Sequence, residues 1–217
     1  MTREHEDCIK KGKDVVEGGA RYSVCSGVTF GGAIDSANSL AAIKKLVYED
    51  KKITMKQLRE ALASDFNGYE QIQRLCLDAP KYGNDDPYAD SIARQIYDMC
   101  YREHQKFPDY LGRPTMVQAY SVTAHVAMGR LTGALPSSRK ARMFLTDASV
   151  SAMPGTDKNG PTALIRSAAK VIDTIKFGSN HFNMKFHPST LSGHEGARKF
   201  LQLIKTYMDL GGYHVQF

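Results

Sequence analysis

The stretch Ser151–Ala163, SAMPGTDKNGPTA, decides how this chain is read. It places Pro154, Gly155, Asn159, Gly160 and Pro161 in one loop and runs straight into the apolar pattern Leu164, Ala168, Val171. Glycine frees φ and proline fixes it, so a loop this rich in both has a specified path. Pro161 presets a helical φ where its missing N–H costs nothing, which predicts that the loop ends as the first turn of a helix. Beyond that helix, Phe182, Met184 and Phe186 alternate with Asn183, Lys185 and His187, the period of a strand.

The same grammar extends in both directions. Upstream, Val122, Ala124, Val126 and Met128 alternate with Ser121, Thr123, His125 and Ala127, which predicts a strand ending at Gly129. Asp86-Pro87 opens a long helix with Ile92, Ile96 and Met99 inward. Thr54 with Gln57 forms a capping box for a helix striped by Met55, Leu58, Ala61 and Leu62. Gly68 closes that helix, and Ile72 and Leu75 carry a short one after it. Ser36 to Tyr48 is predicted helical, with Ala37, Leu40, Ala41, Lys44 and Val47 on one stripe. Before it, Gly18–Val24 reads as a turn into a short strand, followed by a glycine-rich loop at Ser26–Gly32. Downstream, Gly193 precedes a helix with Ala197, Phe200, Leu201, Ile204 and Met208 inward, stopped by Gly211-Gly212. Tyr213, Val215 and Phe217 then alternate with His214 and Gln216. Helices alternating with strands make the fold class α/β. The sequence stops on Phe217 inside a predicted strand, so the chain reads as cut.

Composition narrows the class. The chain has 217 residues, 42% of them apolar, enough for a packed core, with no repeat and no low-complexity tract. No apolar run approaches the ~20 residues of a membrane span, and the charged start MTREHEDCIKKGKD has no signal-peptide core, so a cytoplasmic protein without membrane contact is expected. The net charge is +6, but Lys and Arg are scattered among 23 acids with no basic stripe, which argues against nucleic acid as a partner. Cys8, Cys25, Cys76 and Cys100 are widely spaced and form no CxxC pair or zinc-ligand set.

Three further runs carry a family resemblance: APKYGNDDPYAD (Ala79–Asp90), the loop and helix Ser151–Ala169, and FNMKFHPSTL with LIKTYMDLGGYHVQF between Phe182 and Phe217. GGARYS (Gly18–Ser23) and DSANSLAAIKKLVYEDKKIT (Asp35–Thr54) fit the same order. From about Asp7 to its last residue the chain resembles the glycyl radical enzymes, the family of pyruvate formate-lyase and its dehydratase, decarboxylase and amine-lyase relatives. The KYGND run and the final fifteen residues are most similar to the dehydratase branch. The resemblance implies a ten-stranded α/β barrel built of two five-stranded halves, with residues 1–217 forming a partial pyruvate formate-lyase-like domain in the second half. It implies a lyase eliminating water or amine from a small polar substrate, with a radical-SAM activating enzyme and a homodimer when complete. No tightly bound metal or organic cofactor is implied.

Two motifs of that family are not in this sequence. Cys25, in Ser23-Val24-Cys25-Ser26-Gly27, lacks the Gly-Cys-x-Glu context of the thiyl cysteine. Gly68-Tyr69 and Gly212-Tyr213 lack the Arg-Val that precedes the radical glycine. No catalytic residue is therefore carried over, and this chain alone is expected to be inactive. The alternatives are a fragment of a pyruvate formate-lyase-type acyltransferase, or a non-catalytic subunit that associates with a complementary half.

Candidate substrate-binding residues are Ser121, Thr123 and His125, which a strand would set on one face of the cavity wall; the competing reading is a core histidine with locally satisfied hydroxyls. The loop from Cys25 to Phe30 is a second wall candidate. Lys81, Asn84, Asp85 and Asp86 mix a base with acids, yet read better as a helix start and turn. Gly155, Lys158 and Gly160 before a helix mimic a phosphate cradle without the spacing of a P-loop.

Overall fold

The computed structural model describes residues 3–21, 27–110, 112–147 and 150–217. Its elements run α1 (Arg3–Lys11), β1 (Gly27–Thr29), α2 (Ala33–Ile43), α3 (Met55–Ala63), α4 (Glu70–Asp78), α5 (Pro87–His104), β2 (Met116–Ala119), α6 (Ala124–Leu131), α7 (Gly160–Val171), β3 (Phe177–Asn180) and α8 (Gly193–Asp209). A π-helical segment, Lys44–Glu49, continues α2, and a 3₁₀ turn covers Pro188–Leu191. The α/β class stands.

The three strands form one parallel sheet in the order β1-β2-β3. Gly27 pairs with Met116 and Thr29 with Gln118; across the other side Val117 pairs with Phe177 and Ala119 with Asn180, with a register shift between Val117 and Gln118. Parallel strands need crossovers, and helices fill them. The main core joins Ala37 and Ala41 of α2, Ala89, Ala93 and Tyr97 of α5, Leu164, Ile165 and Ala168 of α7, and Val117, Ala119 and Phe177 of the sheet. Small residues on α2 and α5 let these two helices approach closely. A second cluster, Ala42 to Ala79, packs the π segment, α3 and α4 around Leu58 and Phe66.

Several starts are set by the residues predicted to set them. Thr54 and Gln57 exchange both bonds of a capping box on α3, and the Asp86 side chain accepts from Tyr88 N–H at 2.9 Å ahead of Pro87. Gly160 and Pro161 open α7, which buries Leu164, Ala168 and Val171 as expected.

Other expectations need correction. Residues 122–128 are not a strand: β2 ends at Ala119, Val122 takes φ 48°, and α6 follows. The alternation there marks no buried face, since Gly129 is the only buried residue of α6. The real neighbouring strand, Phe177–Asn180, carries no alternating pattern. Phe182 and Met184 are buried as predicted, but that segment and the chain end meet in a single parallel bridge, Asn183 with Gln216, not in strands. The expected strand before Val24 lies outside the described residues from 22 onward, and β1 occupies the predicted loop at 27–29. Met99 is exposed, because α5 turns Ala89, Ala93 and Tyr97 inward. On α8, Gly196 and Tyr207 face the core, whereas Ala197, Leu201 and Met208 are exposed.

Candidate functional site

Because all three strands run the same way, their carboxyl ends converge on one edge of the sheet, the usual place for ligands in open α/β folds. Phe30, Tyr120 and His181 follow β1, β2 and β3 there. Backbone bonds hold the exits together: Phe30 N–H donates to Gln118 O at 2.8 Å and His181 N–H to Ala119 O at 3.1 Å.

The predicted trio does not share a strand face. The chain turns at Val122, a β-branched residue in the left-handed region, which L side chains adopt only under strain. The turn is closed by Ala124 N–H donating to Ser121 O at 2.8 Å. Ser121 and His125 end four residues apart across the first turn of a helix, with Ser121 Oγ 3.3 Å from His125 Nδ1. Ser121 is buried and His125 half-buried, while Thr123 is exposed and separate from them. The pairing thus survives in two of the three residues, across the turn that leads into α6. The Cys25–Phe30 loop falls partly outside the described residues.

An aromatic array stands beside this turn. The Tyr120 and His181 rings stack at 4.9 Å and 26°, and His214 meets His181 edge-on at 4.9 Å. Burial, and then the neighbouring His214, hold the His181 imidazole below its ordinary pKa, which favours the neutral ring. Next along the chain, Asn183 donates to Asp147 Oδ2 at 3.1 Å and its amide donates to Ser151 Oγ at 2.9 Å. The edge therefore presents a hydroxyl, imidazoles, a phenol and an amide–carboxylate pair. All of these are groups that can donate or accept hydrogen bonds. Among the described residues no cluster of three or more His, Cys, Asp or Glu could hold a metal ion. Nothing in the residue pattern before β3 marked His181 or His214 as ring partners, since their contact depends on a crossover.

Behind α6, Arg139 is buried and donates to the carbonyls of Phe144 at 3.2 Å, Gly133 at 2.8 Å, Gly129 at 2.7 Å and Met143. Leu145 N–H donates to His125 O at 3.1 Å. The 133–146 segment is thereby fixed against the helix that carries His125.

The opening loop and the KYGND run interlock instead of binding phosphate. Asn84 Nδ2 donates to Lys81 O and Thr156 O, and its Oδ1 accepts from the amides of Lys158 and Asn159. Tyr82 donates its hydroxyl to Val150 O, and its amide donates to Asn38 Oδ1. Gly83 has φ 96°, and a Cβ there would lie 3.0 Å from Ala152 and Leu164. Ser167 accepts from Asp85 N–H and donates to the buried Asp90 at 2.8 Å. Burial drives the Asp90 carboxyl up to about 6, against the opposing pull of Ser167. Lys81 is buried with its Nζ on the carbonyls of Cys76 and Ala79, closing α4, and burial pushes its amine down to about 8. Cys76 is buried beside it, its thiol raised to about 11 by burial and therefore inert.

The chain as a whole matches known proteins. A profile described as pyruvate formate lyase-like matches residues 2–129, and one described as glycine radical matches residues 146–217. The chain belongs to the pyruvate formate lyase-like family, the glycyl radical enzymes. It is 38% identical over 234 residues to indoleacetate decarboxylase of Tractidigestivibacter scatoligenes, covering 97% of this chain and 26% of that protein. It is 41% identical over 219 residues to isethionate sulfite-lyase of Nitratidesulfovibrio vulgaris, covering 98% and 26%. The crystal structure of hydroxyproline dehydratase from Clostridioides difficile, with trans-4-hydroxy-L-proline bound, superposes with a TM-score of 0.90 at 39% identity over 98% of this chain and 27% of that one. The chain thus spans about a quarter of the length of these relatives.

Proposed function

We propose that this chain is part of a glycyl radical lyase of the dehydratase type, and that it supplies one wall of an α/β barrel around the reacting substrate. In that reading residues 1–217 are a partial pyruvate formate-lyase-like domain belonging to the second half of the barrel. The observation that carries it is identity near 40% along the whole chain to enzymes that eliminate different groups from small polar molecules. The open carboxyl edge of the sheet supports the same reading, because it gathers hydrogen-bonding groups suited to hydroxyl or amino substituents.

The chemistry would begin elsewhere in the protein. A thiyl abstracts hydrogen beside the leaving group, and water or amine then departs. The residues of this chain would bind and orient the substrate and keep solvent from the radical, which a dry enclosed site requires. Ser121 and His125 would offer hydrogen bonds to the substrate; Thr123, pointing away, would take part only through contact with another segment. A radical-SAM activating enzyme would install the glycyl radical, and the complete protein would be a cytoplasmic homodimer.

Electron paramagnetic resonance tests the assignment. The 217-residue chain, treated anaerobically with an activating enzyme, should give no glycyl radical signal, because it holds no Arg-Val-x-Gly-Tyr motif. A doublet assigned to any glycine of this chain would overturn the reading. In a complete homologous dehydratase, replacing the residue that corresponds to His125 with alanine should raise KM for substrate about tenfold, the loss of roughly one hydrogen bond. Unchanged turnover and affinity would return His125 to a scaffold role.

A further inference from the structure

Helix α6 is rich in apolar residues and hides almost none of them. Ala124, Met128 and Leu131 lie on one side of it and are all exposed, Leu131 to 91%. The segment packed against α6 carries the surface further. Arg142 N–H donates to Thr132 O at 3.1 Å and Leu145 N–H to His125 O at 3.1 Å, so residues 142–145 run back alongside the helix. Gly129 lets them lie close, since a Cβ there would come within 2.3 Å of Met143 O. Met143 and Phe144 on this segment are about half exposed. Arg139 binds the carbonyls of Gly129, Gly133, Met143 and Phe144, which fixes both backbones before any partner arrives. A preformed surface with this much open aliphatic and aromatic area is the mark of an interaction site.

Charge then selects the occupant. From Ala124 to Thr146 the chain has Arg130, Arg139, Lys140 and Arg142 and no acid. Arg139 is engaged by carbonyls, but among the described residues no ion pair holds Arg130 or Arg142, and both are exposed. Asp65 and Glu70, on the Lys140 side, already accept the amides of Ala141 at 2.6 Å and Gly68 at 3.0 Å. A second copy of this chain in a two-fold contact would set these arginines against themselves. Two free arginines among methionine and leucine side chains are too few for a phosphate backbone. What fits is a helix whose apolar side lies on Met128, Leu131 and Met143 and whose flanking carboxylates reach Arg130 and Arg142.

We propose that α6 and residues 142–144 form a docking surface for an acidic amphipathic helix of a separate protein. This goes beyond the lyase reading and does not depend on it. The test uses the whole 217-residue chain and a fluorescein-labelled helical peptide with leucines at helical spacing and glutamates between them. A saturable rise in anisotropy is expected, with amide NMR shifts centred on residues 124–146 and weaker binding as salt rises. The same peptide with lysine for glutamate, and its scrambled form, should bind about tenfold more weakly. Arg130→Glu combined with Arg142→Glu should weaken binding about tenfold, and Leu131→Asn about fivefold. These side chains are exposed, so the fold should be kept; if a variant fails to fold, the peptide comparison on the unaltered chain decides alone. Equal binding of the lysine or scrambled peptide, shifts that map elsewhere, or undiminished binding in both variants would overturn the proposal. So would displacement of the peptide by phosphatidylglycerol vesicles or duplex DNA, or dimerisation of the unaltered chain that Leu131→Asn abolishes. Finally, Leu131→Cys should react with maleimide, read at that position by mass spectrometry, as fast in a longer polypeptide carrying residues 1–217 as in this chain. Protection there would give the surface to the rest of that polypeptide and overturn the proposal.

Discussion

Two turns in this molecule look alike in sequence and behave as opposites. Lys81–Asp85 and Tyr120–His125 are both short polar stretches that redirect the chain between packed elements. The first is interlocked: Asn84 alone makes four side-chain bonds to two segments, and Gly83 supplies the positive φ that the bend needs. The second is strained and open: Val122 takes a positive φ with its side chain 68% exposed, and no glycine relieves it. In the first turn the side chains tie distant segments together; in the second the side-chain contact of Ser121 with His125 stays within the turn. Position on the sheet decides which, not residue type.

The contrast breaks most readily at Asn84. Asn84→Ala leaves Lys81 O and the Asn159 amide without partners, removes one of two bonds from each of Thr156 O and the Lys158 amide, and should cost about 2–3 kcal/mol in chemical denaturation. A loss below about 1 kcal/mol would mean that the interlock is ornamental.

Asp90 is a flaw in the interlocked region, with Oδ1 unpartnered in a buried site. Its folded pKa near 6 lies above the unfolded value, so the fold prefers the neutral acid. That contribution is present below about pH 4 and is lost as pH rises through 6. Asp90→Asn should therefore flatten the stability profile between pH 4 and 7 and gain on the order of 2 kcal/mol at pH 7. Parallel profiles for the two proteins in urea melts would sink this account.

The smallest effect belongs to the strained turn. Val122→Asn, a residue that tolerates the left-handed region, should raise stability by about 0.5–1 kcal/mol. Equal or lower stability by calorimetry would show that the turn stores no strain.

What could be read from the residues was the part governed by neighbours along the chain. The caps at Thr54, Asp86 and Gly160-Pro161 act over three or four positions, and each marked its helix. The strands are three or four residues long, too short for a period to build up, and β3 (Phe-Gly-Ser-Asn) is a strand only because β2 lies beside it. False alternation at 121–128 arose because α6 buries almost nothing and so imposes no helical stripe. Ser121 and His125 still came out as a pair, since the turn at Val122 folds Ser121 back against the first turn of α6. The rings of His181 and His214, and the staple at Asn84, join segments distant in sequence and left no local trace.

That distance shapes how the molecule assembles. Gly27 must find Met116, Val117 must find Phe177, and Asn84 must find Thr156, whereas the cluster from Ala42 to Ala79 closes among near neighbours. Loops of roughly sixty to ninety residues close slowly compared with helix hairpins. During synthesis the α3–α4 unit can pack as soon as it emerges. The sheet, and with it the edge where Tyr120 and His181 stack, exists only after His181 has been made.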